Sequence, residues 1–324
     1  MTAPNPLKNA GKAIADAMPA PLKNFAGKAG GEARDAFRGL TEQQLINEAI
    51  KVVTDGFGDL EKYLANKSIN ENYVIGRING GKQEQKISDL SQVCLLRAYD
   101  IAAITAKEEL QHRGIALVEG AATGAPGLPG IPFDLALSML AYFRAVQSVA
   151  MFYGYNVKSD PAELLIASDV FMCAMSPNAQ GNKEKEYVGK VLLFAEASMV
   201  RQTVKKGWEA MASKGGTCLA IAQVRALANK AAQKALEAAG KKGLEAGALK
   251  NVLELVGKNL SQKAVGKAVP VVGAVIGALF DTAQIGRVLE IAELFYRQRF
   301  ILEKEERVGN LLNKTANPAE PARQ

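Results

Sequence analysis

One imidazole and three thiols limit the imidazole and thiol chemistry open to this sequence, and two of its aspartates stand out. His112 is the only histidine, so any Ser-His-Asp or Cys-His arrangement must use it as general base. It stands in Gln111-His112-Arg113, late in an amphipathic stretch, where helix C-terminal carbonyls favour a cationic imidazole. That structural role is the simpler one. Cys94, Cys173 and Cys218 are widely separated, and a sparse, odd count fits a reducing compartment. A zinc site needing several histidines or clustered cysteines is excluded by count and spacing. No metal and no cofactor is expected.

Asp134 and Asp281 are the carboxylates that stand out. Each follows a phenylalanine at the end of a small, apolar Gly/Pro module. The first module runs from Thr123 to Asp134 and contains Gly124, Gly127, Pro129, Gly130 and Pro132. The second runs from Val269 to Asp281 and contains Pro270, Gly273 and Gly277. Each leads into a helix bearing an arginine, Arg144 or Arg287. The first is glycine-rich, but Pro126, Pro129 and Pro132 lack the backbone N–H donors that a phosphate cradle needs. Gly273 and Gly277 form a G-x-x-x-G pair, which allows close helix approach in a core or in lipid. Neither module is long enough to span a bilayer, but each could form a shallow re-entrant or interfacial hairpin. Both aspartates are simplest as helix caps.

The elements around these modules read as helices. Hydrophobic residues make up 48% of the 324 residues and aromatic residues only 6%, which favours close-packed helices over strands. No strand–helix alternation occurs, so the predicted architecture is all-α. Residues 1–38 read as a disordered basic tail carrying a short repeat, Pro6 to Ala13 and Pro21 to Ala29. Residues 39–312 form one large multi-helix domain, and 313–324 a second tail. Thr41-Glu42-Gln43-Gln44 reads as a capping box, with Leu45, Ile46, Ile50 and Val53 on one stripe until Gly56-Phe57-Gly58 breaks the helix. Residues 68–86 read as a loop with a short hairpin at Asn79-Gly80. A long helix is expected over 88–117, with Leu96, Tyr99, Ala103, Ala106 and Leu110 facing the core. Asp134 caps a helix from Leu135 to Tyr153, Gly154 ends it, and Pro161 opens the next. Gly240, Gly243, Gly247 and Gly257 divide the basic stretch, and a final helix covers 281–312.

Charge is concentrated. Residues 205–267 hold twelve Lys/Arg against four Asp/Glu, an excess larger than the net charge of +7 on the whole chain. Such a stretch suits an anionic partner, or is a solvated face of an Ala-rich helix. Trp208 is its only aromatic residue, so stacking platforms for nucleic acid are missing and that partner is disfavoured. The N-terminus has no apolar run of the secretory kind, and no uncharged run is long enough to span a bilayer. A cytoplasmic protein, peripheral at the inner membrane, is expected, with signal-independent secretion left open.

Two stretches resemble the EcsC protein family. They are Gly124 to Asp134, followed by Gln147 and Ala150-Met151-Phe152-Tyr153-Gly154-Tyr155, and Val269 to Ala278, followed by Arg287-Val288 and Ala292-Glu293-Leu294-Phe295-Tyr296-Arg297. The resemblance covers about residues 90–305. It implies a bacterial protein linked to an ABC transporter, in a family of undefined activity, and it supplies no catalytic residues. The expectation is a non-enzymatic protein that associates reversibly with membrane, anionic lipid or a membrane protein. Its candidate contacts are Gly124, Gly127, Pro129, Gly130, Pro132, Asp134, Arg144, Tyr153, Pro270, Gly273, Gly277, Asp281 and Arg287. The alternatives are a membrane-permeabilising toxin or effector, and a hydrolase or lipid-modifying enzyme using Asp134 and Asp281.

Overall fold

A computed structural model describes residues 42–63, 69–81, 85–108, 131–175, 225–257 (save 227, 235, 239 and 241) and 282–316. Among the described residues the elements are helices and no strand occurs. The chain divides into two compact units, each assembled from three separated stretches. One takes Met1–Ser68, Leu110–Phe143 and Ala246–Arg287, and the other Ile69–Glu109, Arg144–Glu245 and Val288–Gln324.

In the first unit, α1 (Glu42–Tyr63) buries Ile46, Ala49, Val53, Phe57 and Leu60. The Gly56 break expected from sequence is a kink instead, with Gly56 at φ −121° and ψ 15°. Phe57 and Leu60 continue the apolar row beyond it, and their burial, worth roughly 1.5–3 kcal/mol for each large side chain, outweighs the glycine's helix penalty of about 1 kcal/mol. Helical residues 242–257 include Gly243 and Gly247 without interruption, so these two glycines are not separators. Gly257 lies so close to α1 that a Cβ there would meet Ile46 Cγ2 at 3.0 Å.

In the second unit, residues 71–79 are helical and not the expected loop and hairpin. Helix α2 (Glu71–Asn79) starts at Asn70, whose side chain accepts from the Tyr73 backbone N–H at 2.8 Å. Val74 and Ile78, four apart, are its buried residues. A 3-10 helix, Leu90–Leu95, ends at extended Leu96, and α3 covers the described residues 98–108. The single helix expected from Ser88 is therefore broken, and its register is also different. Tyr99 is 80% exposed, Ala103 and Ala106 face solvent, and Ile101, Thr105 and Glu108 are buried. Alanines on every side of α3 leave hydrophobicity unable to choose a face, and partners for Thr105 and Glu108 decide it.

Helix α4 (Ile131–Phe152) is apolar all round and correspondingly buried. Among the described residues it alone contains an 18-residue window, Leu135–Phe152, apolar enough to cross a bilayer, yet 89% of that window is buried within the protein. Asp160 caps α5 (Pro161–Met175) by accepting from Ala162 N at 2.9 Å, with Pro161 in the first helical position as expected. Residues 225–238 are helical at every described position and form α6, Gly240 is left-handed at φ +69°, and residues 242–257 form α7. The last helix, α8 (Thr282–Ala316), carries the helix past Leu312 into the stretch read as a tail.

Candidate functional site

The best-defined polar structure lies in the second unit, where the end of α4 is fastened to α8. Gly154 ends α4 with two backbone bonds, Gly154 N–H to Met151 O at 2.9 Å and Tyr155 N–H to Ala150 O at 3.0 Å. This pairing closes the last orphan carbonyls and needs a left-handed residue. Gly154 has φ +81°, and a Cβ there would lie 2.8 Å from Leu90 O and 2.9 Å from Val93 Cβ, with Arg307 also in the way. Arg307 donates to the Tyr153 and Gly154 carbonyls at 3.0 and 3.1 Å and stacks 4.6 Å over the Tyr155 ring.

The two tyrosines extend in opposite directions along α8. The Tyr153 hydroxyl donates to Glu293, whose second oxygen accepts from Thr105 at 2.9 Å. The Tyr155 hydroxyl donates to Glu303 at 3.0 Å. Glu293 and Glu303 are ten positions apart, about 15 Å along the helix. Burial, reinforced at Tyr153 by Glu293, pushes both phenols far above their usual pKa, so they act as neutral donors.

Below this corner, Arg299 is 1% exposed and Glu163 is 2% exposed. They form a bidentate pair at 2.6 and 2.9 Å, and Arg299 Nε reaches Glu303 at 2.9 Å. The guanidinium also lies 4.0 Å over the Tyr155 ring. Burial alone would favour losing the Arg299 proton, but the Glu163 carboxylate more than reverses that and keeps the charge. Arg225, at the start of α6, approaches from the surface, 3.4 Å from Asp160 and 3.6 Å from Glu163. A second polar chain joins Lys158 to the Gln147 carbonyl at 3.1 Å and the Gln147 amide to buried Glu245 at 3.0 Å. A third holds buried Glu108, which accepts from Tyr73 at 2.7 Å and pairs with Arg77. Burial first, then the bond to Glu108, moves Tyr73 up to about 12.

These contacts suit positioning more than reaction. Both Glu163 oxygens are engaged by one guanidinium, and the carboxylate is buried. No group of three His, Cys, Asp or Glu arranged to hold a metal occurs among the described residues. Cys94 and Cys173 are buried free thiols, and burial raises the Cys94 pKa, which makes it less reactive. Asp169 on α5 is a carboxylate in a different setting. It has no hydrogen bond or ion pair among the described residues, and desolvation lifts it to about 7.

Of the residues singled out from sequence, Tyr153 sits in this network. Arg144 is buried on α4, and Arg287 is half-buried on α8, donating to Gln284 at 2.5 Å. Pro132 and Asp134 lie in the first turn of α4, which begins at Ile131, so Asp134 is inside the helix and not its N-cap. Proline is tolerated in a first turn, which lets the helix start earlier than an aspartate cap would set it. Gly124, Gly127, Pro129, Gly130, Pro270, Gly273, Gly277, Asp281, His112 and Cys218 lie outside the described residues. Glu163, Arg299, Glu303 and Arg307 went unremarked in the sequence, although Arg299, Glu303 and Arg307 share one side of α8 at four-residue spacing. A lone Glu163 within an apolar helix was the other available signal.

An all-helical protein with a paired polar interior is the class these features define. A model of the EcsC protein family matches residues 38–301, and the chain belongs to that family. The match extends past the stretch that carried the resemblance to include α1. No curated protein and no solved structure matches the chain.

Proposed function

We propose that this protein is non-enzymatic and binds reversibly to anionic membrane surfaces, as an accessory to membrane transport. The observation that carries the reading is the outer face of α6. Lys230 and Lys234 are exposed one turn apart while Ala228, Ala231 and Ala232 are buried. Lysines turned to solvent remain available to lipid, at about 1 kcal/mol for each well-placed charge. By contrast, Arg299 and Arg307 are spent on internal partners. Burial of the apolar α4 window supports a peripheral protein over an integral one. The transport link rests on the family resemblance alone.

Co-sedimentation with phosphatidylglycerol and phosphatidylcholine vesicles tests the reading. Binding should be confined to the anionic vesicles and weaken as salt shortens the screening length. Equal, negligible binding to both would refute it. Dye release on binding would favour the permeabilising alternative.

A further inference from the structure

We propose that Arg225 is a releasable strap holding α6 against the start of α5, and that anionic lipid competes for it. The inference rests on the membrane reading above and adds to it how the basic face is freed. Helix α6 is held at its described positions by small residues, Ala228, Ala231 and Ala232, which bury little surface. At its start Arg225, 47% exposed, bridges Asp160 at 3.4 Å and Glu163 at 3.6 Å. The Asp160 contact is long and partly open to solvent on both sides, and such pairs are weak and screened by salt, so it can be exchanged.

Its removal orphans nothing. Asp160 still caps α5 through Ala162 N at 2.9 Å, by the oxygen that Arg225 does not use. Glu163 keeps both bonds from Arg299. Arg225 is therefore the one link in the Glu163 cluster that can leave without stranding a buried charge. A phosphate-bearing surface offers Arg225 a bidentate partner and Lys230 and Lys234 neighbouring ones, so α6 exchanges its strap for lipid.

The test measures the distance between spin labels at Gln233→Cys on α6 and Asn72→Cys on α2, both exposed positions, with Cys218→Ser and the buried thiols left in place. Phosphatidylglycerol vesicles should shift this distance and phosphatidylcholine vesicles should not. Asp160→Asn retains a good N-cap and the Arg225 charge but removes the shorter of its two ion pairs, leaving the 3.6 Å contact with Glu163. It should reach half of the shift at about two- to fivefold less anionic lipid. Glu237→Gln makes the same charge change on α6 away from the strap and should behave as the parent. Binding with an unchanged distance, an equal shift with phosphatidylcholine, or equal behaviour of the two variants overturns the strap and leaves membrane association standing. Failure to bind phosphatidylglycerol overturns both.

Discussion

Replacing Asp169 with asparagine should stabilise the protein at neutral pH and do nothing in acid. Asp169 lies on α5, surrounded deeply enough that desolvation raises its pKa from 3.8 to about 7, and no described residue donates a hydrogen bond to it. An acid whose folded pKa exceeds its unfolded value binds more protons folded than unfolded, so stability falls as pH rises. The loss begins near the unfolded pKa of about 4 and is complete above about 7. A shift of that size corresponds to about 4 kcal/mol at 1.36 kcal/mol per unit, and the residue's partial exposure lowers this to roughly 2–4 kcal/mol.

Urea denaturation followed by helical circular dichroism at several pH values measures the effect directly. Parent and Asp169→Asn should coincide near pH 4, with the variant ahead by about 2–4 kcal/mol near pH 8. A gap independent of pH would mean that asparagine acts through packing and not through the missing charge. A variant less stable than the parent at pH 8 would mean that the carboxylate is compensated after all. Either result refutes the reasoning. Tyr296 carries a related signature, since its fully buried hydroxyl has no hydrogen-bond partner among the described residues and it senses the Asp169 charge. Loss of that charge in the variant should lower the Tyr296 pKa.

Arg299→Met should cost about 3–5 kcal/mol in the same denaturation assay, because Glu163 stays buried without its main partner. Adding Glu163→Leu should recover much of the loss, since two apolar residues need no pairing. Gly154→Ala should lower stability by about 2–5 kcal/mol, combining left-handed strain with overpacking against Leu90 and Val93, and thermal melting reads it out. Asn70→Ala should cost about 1 kcal/mol, seen as lost hydrogen-exchange protection in α2.

Helix type was readable from sequence because alanine, leucine and the shortage of aromatic residues favour one class of packing. Helix ends were readable where a special backbone was needed, as at Gly154 and Asp160-Pro161. Face and register were less so. The stripe through Tyr99, Ala103 and Ala106 has good helical spacing, yet it faces water. The winning face contains Thr105 and Glu108, whose partners Glu293, Tyr73 and Arg77 are remote in sequence. Residues 71–79 were hidden by Asn and Gly at either end, although Asn70 as cap and the Val74–Ile78 spacing were the usable signal. The buried pair was harder still, since Arg299 and Glu163 are 136 positions apart and neither residue alone identifies its partner.

The fastening of α4 to α8 gives part of the family signature a physical meaning. Ala150 to Tyr155 and Ala292 to Arg297 are the two stretches whose residues resemble the family around these helices, and they meet through Tyr153 and Glu293 across 140 positions. The glycine between the tyrosines is required by its positive φ and by Leu90 and Val93. The tyrosines are required as buried donors to Glu293 and Glu303. Glu293 accepts hydrogen bonds at both oxygens, and Glu303 receives both a phenol and a guanidinium. This half of the signature therefore specifies how the second unit is assembled. On the proposed membrane reading, contact with anionic lipid falls to residues turned outward, such as Lys230 and Lys234 on α6.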